Sequence, residues 1–285
     1  MTTIVAATDF STRSERALRR AGLLARQLKA ELVLVHVVDD DQPASLVDLE
    51  RREAGSFLNE QIGAVAELRD VRCRAVVATG EAFDGVLQTA RNVSADLIVM
   101  GTHRKQLLRD IFVGTTIERV IRTGPYPVLM VNRDVRHSYG HVLGAVDLSE
   151  PSAHAIKTGD VLGLIGDAFV TIVHAFTAPG RGKLFVANAS RERIDEYVAS
   201  ERLQASEELM AFLTAHQIRG PRWRHRIEEG GAFEVISRIV TETMPDLVVI
   251  GTHGRSGIAK MLLGSVAEEV LRSVDVDILA VPPIR

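Results

Sequence analysis

Apolar and polar positions follow two periods along this chain. Apolar runs of about four to seven residues, rich in Val, Ile and Leu, are separated by stretches whose apolar residues recur every three or four positions. The runs read as strands buried on both faces, and the stretches between them as helices. Ile4–Ala7 is the first strand. Ser11 stands where an N-cap is needed for a helix carrying Ala17, Leu18, Ala21, Leu24, Ala25 and Leu28. Leu32–Val38 predicts a second strand, residues 47–68 a second helix, residues 74–77 a third strand and residues 83–91 a third helix. Residues 97–100 read as a fourth strand, residues 117–122 as part of a fourth helix and residues 126–131 as a fifth strand.

The series then restarts. Val142–Leu148 matches the opening strand, and Asp9 to Asp147 and His36 to His174 are each 138 positions. Gly80 to Gly230, Asp96 to Asp246, Gly101 to Gly251 and Gly114 to Gly264 are each 150, so the second half is longer by 12 between His174 and Gly230. Residues 178–183 read as a flexible loop and residues 192–213 as an amphipathic helix, together a lid or contact surface. A polar stretch at residues 132–139 marks the boundary. Each half therefore reads as alternating strands and helices, an α/β fold with a parallel sheet covered on both faces. Ligands in such sheets bind beyond the strand C-termini, where Asp9/Asp147, His36/His174 and Gly101/Gly251 all fall.

The most chemical stretch is Gly251-Thr-His253-Gly254-Arg255-Ser-Gly257, followed after six residues by Gly264-Ser265-Val266. Strand, glycine-rich loop and helix start bring backbone N–H groups toward an anion. Glycine lets a ligand approach the main chain. The structural alternative is a simple turn, with Ser265 and Glu268 forming a capping box. The spacing matches neither G-x-x-x-x-G-K-[ST] nor G-x-G-x-x-G, so the residues alone give a phosphate-binding loop of unknown type.

Composition narrows the field. A net charge of -3 gives no reason to expect nucleic acid as a partner, and 46% hydrophobic residues are ample for a core in each half. Cys73 is the only cysteine, which excludes intramolecular disulfides and cysteine metal sites. No apolar run approaches the ~18–20 residues of a membrane span, and the N-terminal residues lack the basic start of a signal peptide. A cytoplasmic protein is expected. Asp9, His36 and His103, like Asp147, His174 and His253, offer two His and one Asp per half, a set zinc accepts in principle. The sequence displays no partners to fix those rings. The strand-two His reads instead as a packing residue and the loop His as a turn or ribose contact, so no metal site is assigned.

These residues resemble a tandem of universal stress protein domains, over nearly all of both halves. The most specific element is Gly, two residues, Gly, nine residues, Gly, then Ser, here Gly251, Gly254, Gly264 and Ser265. The resemblance implies two Rossmann-like domains, at 1–135 and 139–285. Each is a five-stranded parallel sheet of order 3-2-1-4-5 with helices on both faces, and the domains pair through the fifth strands, residues 128–131 and 278–281. It implies a stress-response regulatory protein that binds ATP, with Mg2+ on the phosphates, in the C-terminal domain. Carried over residue by residue, Asp147 meets the nucleoside and Ala175 the adenine. Ile250 and Gly251 lie along the ribose, with His253 beside them, and Gly254, Gly264, Ser265 and Val266 hold the phosphates. Arg255 is placed to add charge there. No catalytic residue is assigned. A slow ATPase or phosphotransferase is the second reading and an interaction module without nucleotide the third. A homodimer and an unidentified protein partner are left open.

The first half departs from the motif. Gly101 and Gly114 remain, but Arg104 stands in place of Gly254, and Gly257 has no counterpart. The first half is expected to keep the fold and lose triphosphate binding, with Arg104 and Lys105 available to hold a smaller anion or fill the site.

Overall fold

The computed structural model describes residues 2–102, 114–254 and 263–284. The first half comprises β1 (Thr3–Ala7), α1 (Thr12–Leu28), β2 (Glu31–Val38), α2 (Ala44–Ala64), a 3-10 turn (Ala66–Leu68), β3 (Cys73–Thr79), α3 (Ala82–Asn92), β4 (Leu97–Gly101), α4 (Thr116–Thr123) and β5 (Val128–Val131). The second comprises β6 (His141–Ala145), α5 (Glu150–Val161), β7 (Phe169–Phe176), α6 (Gly180–Val186), α7 (Arg191–Ala215), β8 (Trp223–Glu229), α8 (Ala232–Thr243), β9 (Leu247–Gly251), α9 (Ser265–Ser273) and β10 (Asp277–Val281). Two expectations shift. The helix expected over residues 47–68 breaks where Val65 turns extended, at φ -76° and ψ 117°. The loop expected at 178–183 supplies the start of α6, which buries none of its residues.

Within each half the strands are parallel, in the expected order 3-2-1-4-5. The expectation of two separate five-stranded sheets is corrected. β5 pairs antiparallel with β10, Met130 opposite Ile278 and Val128 opposite Ala280, so one sheet runs β3-β2-β1-β4-β5-β10-β9-β6-β7-β8. The reason is in the residues: β5 and β10 are buried along their whole length. An open edge of that kind would leave backbone donors, acceptors and apolar side chains unpartnered.

Period-two alternation sends neighbouring residues to opposite layers. Ile4, Ala6, Leu32 and Leu34 pack with Leu18 of α1, Leu58 of α2, Ile156 of α5 and Leu209 of α7. Val5, Val33 and Val35 face the other way, toward Val86 of α3, Val120 of α4, Ile236 of α8 and Val270 of α9. Both layers cross the seam, so the halves share one core. Among the described residues no helix is long and apolar enough to cross a membrane.

Where the halves join, the fully buried Asp277 ties down the connecting segment. Its Oδ1 accepts from the backbone N–H of Asn132 (2.9 Å) and Arg133 (3.1 Å), and its Oδ2 from the Tyr139 hydroxyl (2.8 Å). Arg20 Nε lies 3.3 Å from Asp277 Oδ2, at ion-pair range but without hydrogen-bond alignment. The same guanidinium donates to the His137 carbonyl and lies 4.2 Å from the Tyr139 ring centre.

Candidate functional site

A cavity of about 300 Å³ opens at the C-terminal ends of the second-half strands. Asp147, Ala175, Ile250, Gly251, His253, Gly254, Gly264, Ser265 and Val266 all line it. Of the residues picked from the sequence for this site, Arg255 lies outside the described residues, as do Gly257, His103, Arg104 and Lys105. The rest of the wall, Ala145, Val146, Val173, Ala232, Val235, Ile236, Ala267 and Ser152, was not anticipated. Apolar residues at strand or helix spacing read as core, and nothing in the pattern separates a core residue from one beside a cavity.

The turn after β6 explains how Asp147 is held. Leu148 takes a left-handed φ of 64°, unusual for a residue with a side chain, and this brings Ser149 back over Asp147. Asp147 Oδ1 accepts from the Ser149 N–H (3.1 Å) and hydroxyl, while Ser149 caps α5. The first half repeats the device with Asp9, Phe10 (φ 60°) and Ser11. In both copies the positive φ folds the serine back onto its aspartate, fixing the carboxylate at the strand end.

The glycines serve the protein's own packing as well as openness. A Cβ on Gly251 would meet the Pro151 carbonyl at 3.2 Å, and one on Gly101 would meet the Arg13 carbonyl at 2.6 Å. Both therefore let the first turn of a helix close onto a strand end. A Cβ on Gly254 would stand 2.7 Å from Asp147 Oδ2, so Asp147 lies against the loop that carries Gly254.

The capping-box reading of Ser265 is corrected. Gly264 is the N-cap of α9, without a side-chain cap, and Ser265 is the first helical residue. The Gly264 N–H donates to the Thr252 carbonyl (2.8 Å), and the first intrahelical bond is Glu268 N–H to Gly264 O (2.9 Å). Among the described residues, the N–H groups of Ser265, Val266 and Ala267 have no acceptor. They are the orphan donors of a helix start, and all three residues line the cavity. His253 adds a polar atom: its Nδ1 lies 3.0 Å from the Thr252 hydroxyl, and its buried Nε2 has no partner among the described residues.

His174 and His36 have a packing role. Each Nδ1 lies against a carbonyl, Val146 O at 3.0 Å and Thr8 O at 2.8 Å. A carbonyl only accepts, so the proton sits on Nδ1 in both. Among the described residues no group of three His, Cys, Asp or Glu is arranged to hold a metal ion.

The first-half cavity, about 330 Å³, differs at one end. There Thr115 is the N-cap, and its hydroxyl accepts from the Glu118 N–H (3.3 Å). The carboxylate of Glu118, only 2% exposed, accepts from the Gly114 N–H at 3.2 Å and pairs with Arg122 at 2.5 Å. Arg13 lines the cavity in place of Pro151, and its guanidinium lies 3.9 Å from Asp9. Burial raises the Asp9 carboxyl pKa, but hydrogen bonds from Ser11 and Ser14 and the Arg13 charge outweigh this and hold it below 3.8.

Fold and crevices define a tandem α/β protein with one strand-end cavity per half. The universal stress protein family model matches residues 1–132 and again 138–282, and the chain belongs to that family. It is 27% identical to universal stress protein E of Escherichia coli over 215 residues, 73% of this chain and 67% of the relative. It is 24% identical to a universal stress protein of Mycolicibacterium smegmatis over 301 residues, 98% of this chain and 97% of the relative. A functionally unknown protein of Pseudomonas aeruginosa, PA1789, shares the fold at a TM-score of 0.69 and 21% identity, covering 99% of this chain and 93% of that one.

Proposed function

We propose that the second half binds ATP and that the protein acts as a nucleotide-responsive regulator. One observation carries the reading: the unclaimed N–H groups of Ser265, Val266 and Ala267 at the cavity. A helix start that spends no side chain on its own cap keeps its partial positive charge for a ligand anion. Gly254, Gly264, Ser265 and Val266 would hold the phosphates, with Arg255 adding charge. Ala175, Ile250 and Gly251 would border the nucleoside, with His253 at the ribose. Asp147 would meet the nucleoside, and Mg2+ arriving with the phosphates would neutralise part of their charge. Bound nucleotide stabilises the folded chain by about 2.7 kcal/mol at one hundred times its dissociation constant.

Efficient hydrolysis needs a group that orients water. Asp147, the one carboxylate among the described lining residues, is engaged by Ser149. We therefore infer binding without efficient turnover. Nucleotide released from freshly purified, heat-denatured protein, with calorimetry against ATP, is the test. Flat calorimetry rejects the reading, and phosphate release lost in Asp147→Ala with binding retained replaces it with an ATPase.

A further inference from the structure

We infer that this chain docks on a second copy of itself, with α6 of one copy seated on the start of α2 of the other. Outside the crevices, the halves differ in what covers one helix. α2 and α7 are equivalent: Ala54 and Leu58 are buried in α2 as Ala205 and Leu209 are in α7, 151 positions later. In that register Leu46 stands where Tyr197 stands in α7, and Leu49 where Ser200 stands. In the second half, residues 177–190 fold over that position. There α6 packs on α7, and the Tyr197 hydroxyl accepts from the Gly180 N–H at 3.0 Å. In the first half only residues 39–43 join β2 to α2, too few for a covering helix. Leu46 and Leu49 are left 40% and 46% exposed.

The same molecule carries a complement to this bare face. α6 buries none of its residues, and Phe185 is 74% and Val186 82% exposed. An apolar pair left in water on a helix of its own marks an interaction surface. The charges also match. α6 carries Arg181 and Lys183 and no acidic residue. Glu229 holds Arg181 at 2.8 Å, and Lys183 has no ion-pair partner among the described residues. The start of α2 is the reverse: Asp39, Asp40, Asp41, Asp48 and Glu50 lie among residues 39–50, which hold no Lys or Arg. Apolar side chains meet leucines while a cation meets carboxylates, and such complementarity selects a partner. Docked in this way, α6 lies between α7 of its own chain and α2 of the other. α2 and α7 belong to one layer, at opposite ends of the sheet, so one face of the molecule presents both docking helix and seat. Copies related by a two-fold axis make the contact twice. Each contact is small, so the dimer is reversible.

The test is sedimentation velocity on the full-length protein over a dilution series. The wild type is expected to pass from monomer to dimer as its concentration rises. Phe185→Asp and Leu46→Asp are each expected to raise the dimer dissociation constant at least tenfold and to leave the melting temperature unchanged, since both side chains are exposed. A mixture of the two variants is expected to associate more than either alone, because each supplies the surface that the other lacks. The inference is overturned if the wild type stays monomeric throughout, which would leave α6 to a different protein. It is also overturned if either substitution leaves the dimer intact, or if the mixture associates no more than the separate variants.

Discussion

Asp147 and Gly254 are packed so closely that a single added carbon on Gly254 would stand 2.7 Å from the Asp147 carboxylate. Gly254 has no positive φ, so its backbone tolerates a side chain and the constraint is the space beside Asp147. Gly254→Arg copies the first-half sequence at this position. It is expected to push the Asp147 carboxylate aside, fill the loop and cut ATP affinity at least tenfold, with little change in melting temperature. Calorimetry and thermal melts on the same preparation read both effects; ATP affinity equal to wild type removes the loop from the site.

The two helix starts predict opposite responses to loss of a hydroxyl. Thr115 caps α4, so Thr115→Ala should cost about 1 kcal/mol of stability. Ser265 caps nothing, so Ser265→Ala should stay within about 0.5 kcal/mol while weakening ATP. Urea denaturation alongside nucleotide titration separates them, and equal stability losses would put the cap back on Ser265.

Asp277→Ala would leave Arg20 buried without its counter-charge. A broken buried pair costs about 3–5 kcal/mol, so this variant should unfold at markedly lower urea. Asp277→Asn keeps some hydrogen bonds and should lose less. An alanine variant as stable as wild type would show that the clamp contributes nothing.

Burial first, and then the Asp277 charge, hold the Tyr139 phenol well above its ordinary 10.0. In that window the unfolded chain has released this proton and the folded chain has not. The stabilisation from the neutral phenol is therefore complete below pH 10 and is lost as pH rises beyond it. Tyr139→Phe should cost about 1–2 kcal/mol near neutral pH through the lost hydrogen bond. It should also make stability fall less steeply above pH 10, as read by denaturant titrations at a series of pH values.

The alternation of elements was legible because each strand is a short apolar run and each helix keeps its own period. Asp147, Gly251 and His253 were legible because they fall at or just beyond strand ends, whereas Ser152, inside α5, was not. The helix register at Ser265 was not, because Gly264-Ser265 and Gly114-Thr115 look alike in sequence yet begin their helices one residue apart. Asp277 was hidden in an apolar run, and its first-half counterpart is Pro127, so the repeat gave no signal for it. The glycines were recognised, but the need for Gly101 and Gly251 lies in a helix backbone distant in sequence.

The β5–β10 seam also fixes stoichiometry. Two separate chains joined along such strands would come apart on dilution, since their association carries the entropy of bringing two bodies together. Here one covalent chain supplies both partners, so an intact crevice and an altered one are always present in equal number, whatever the protein concentration.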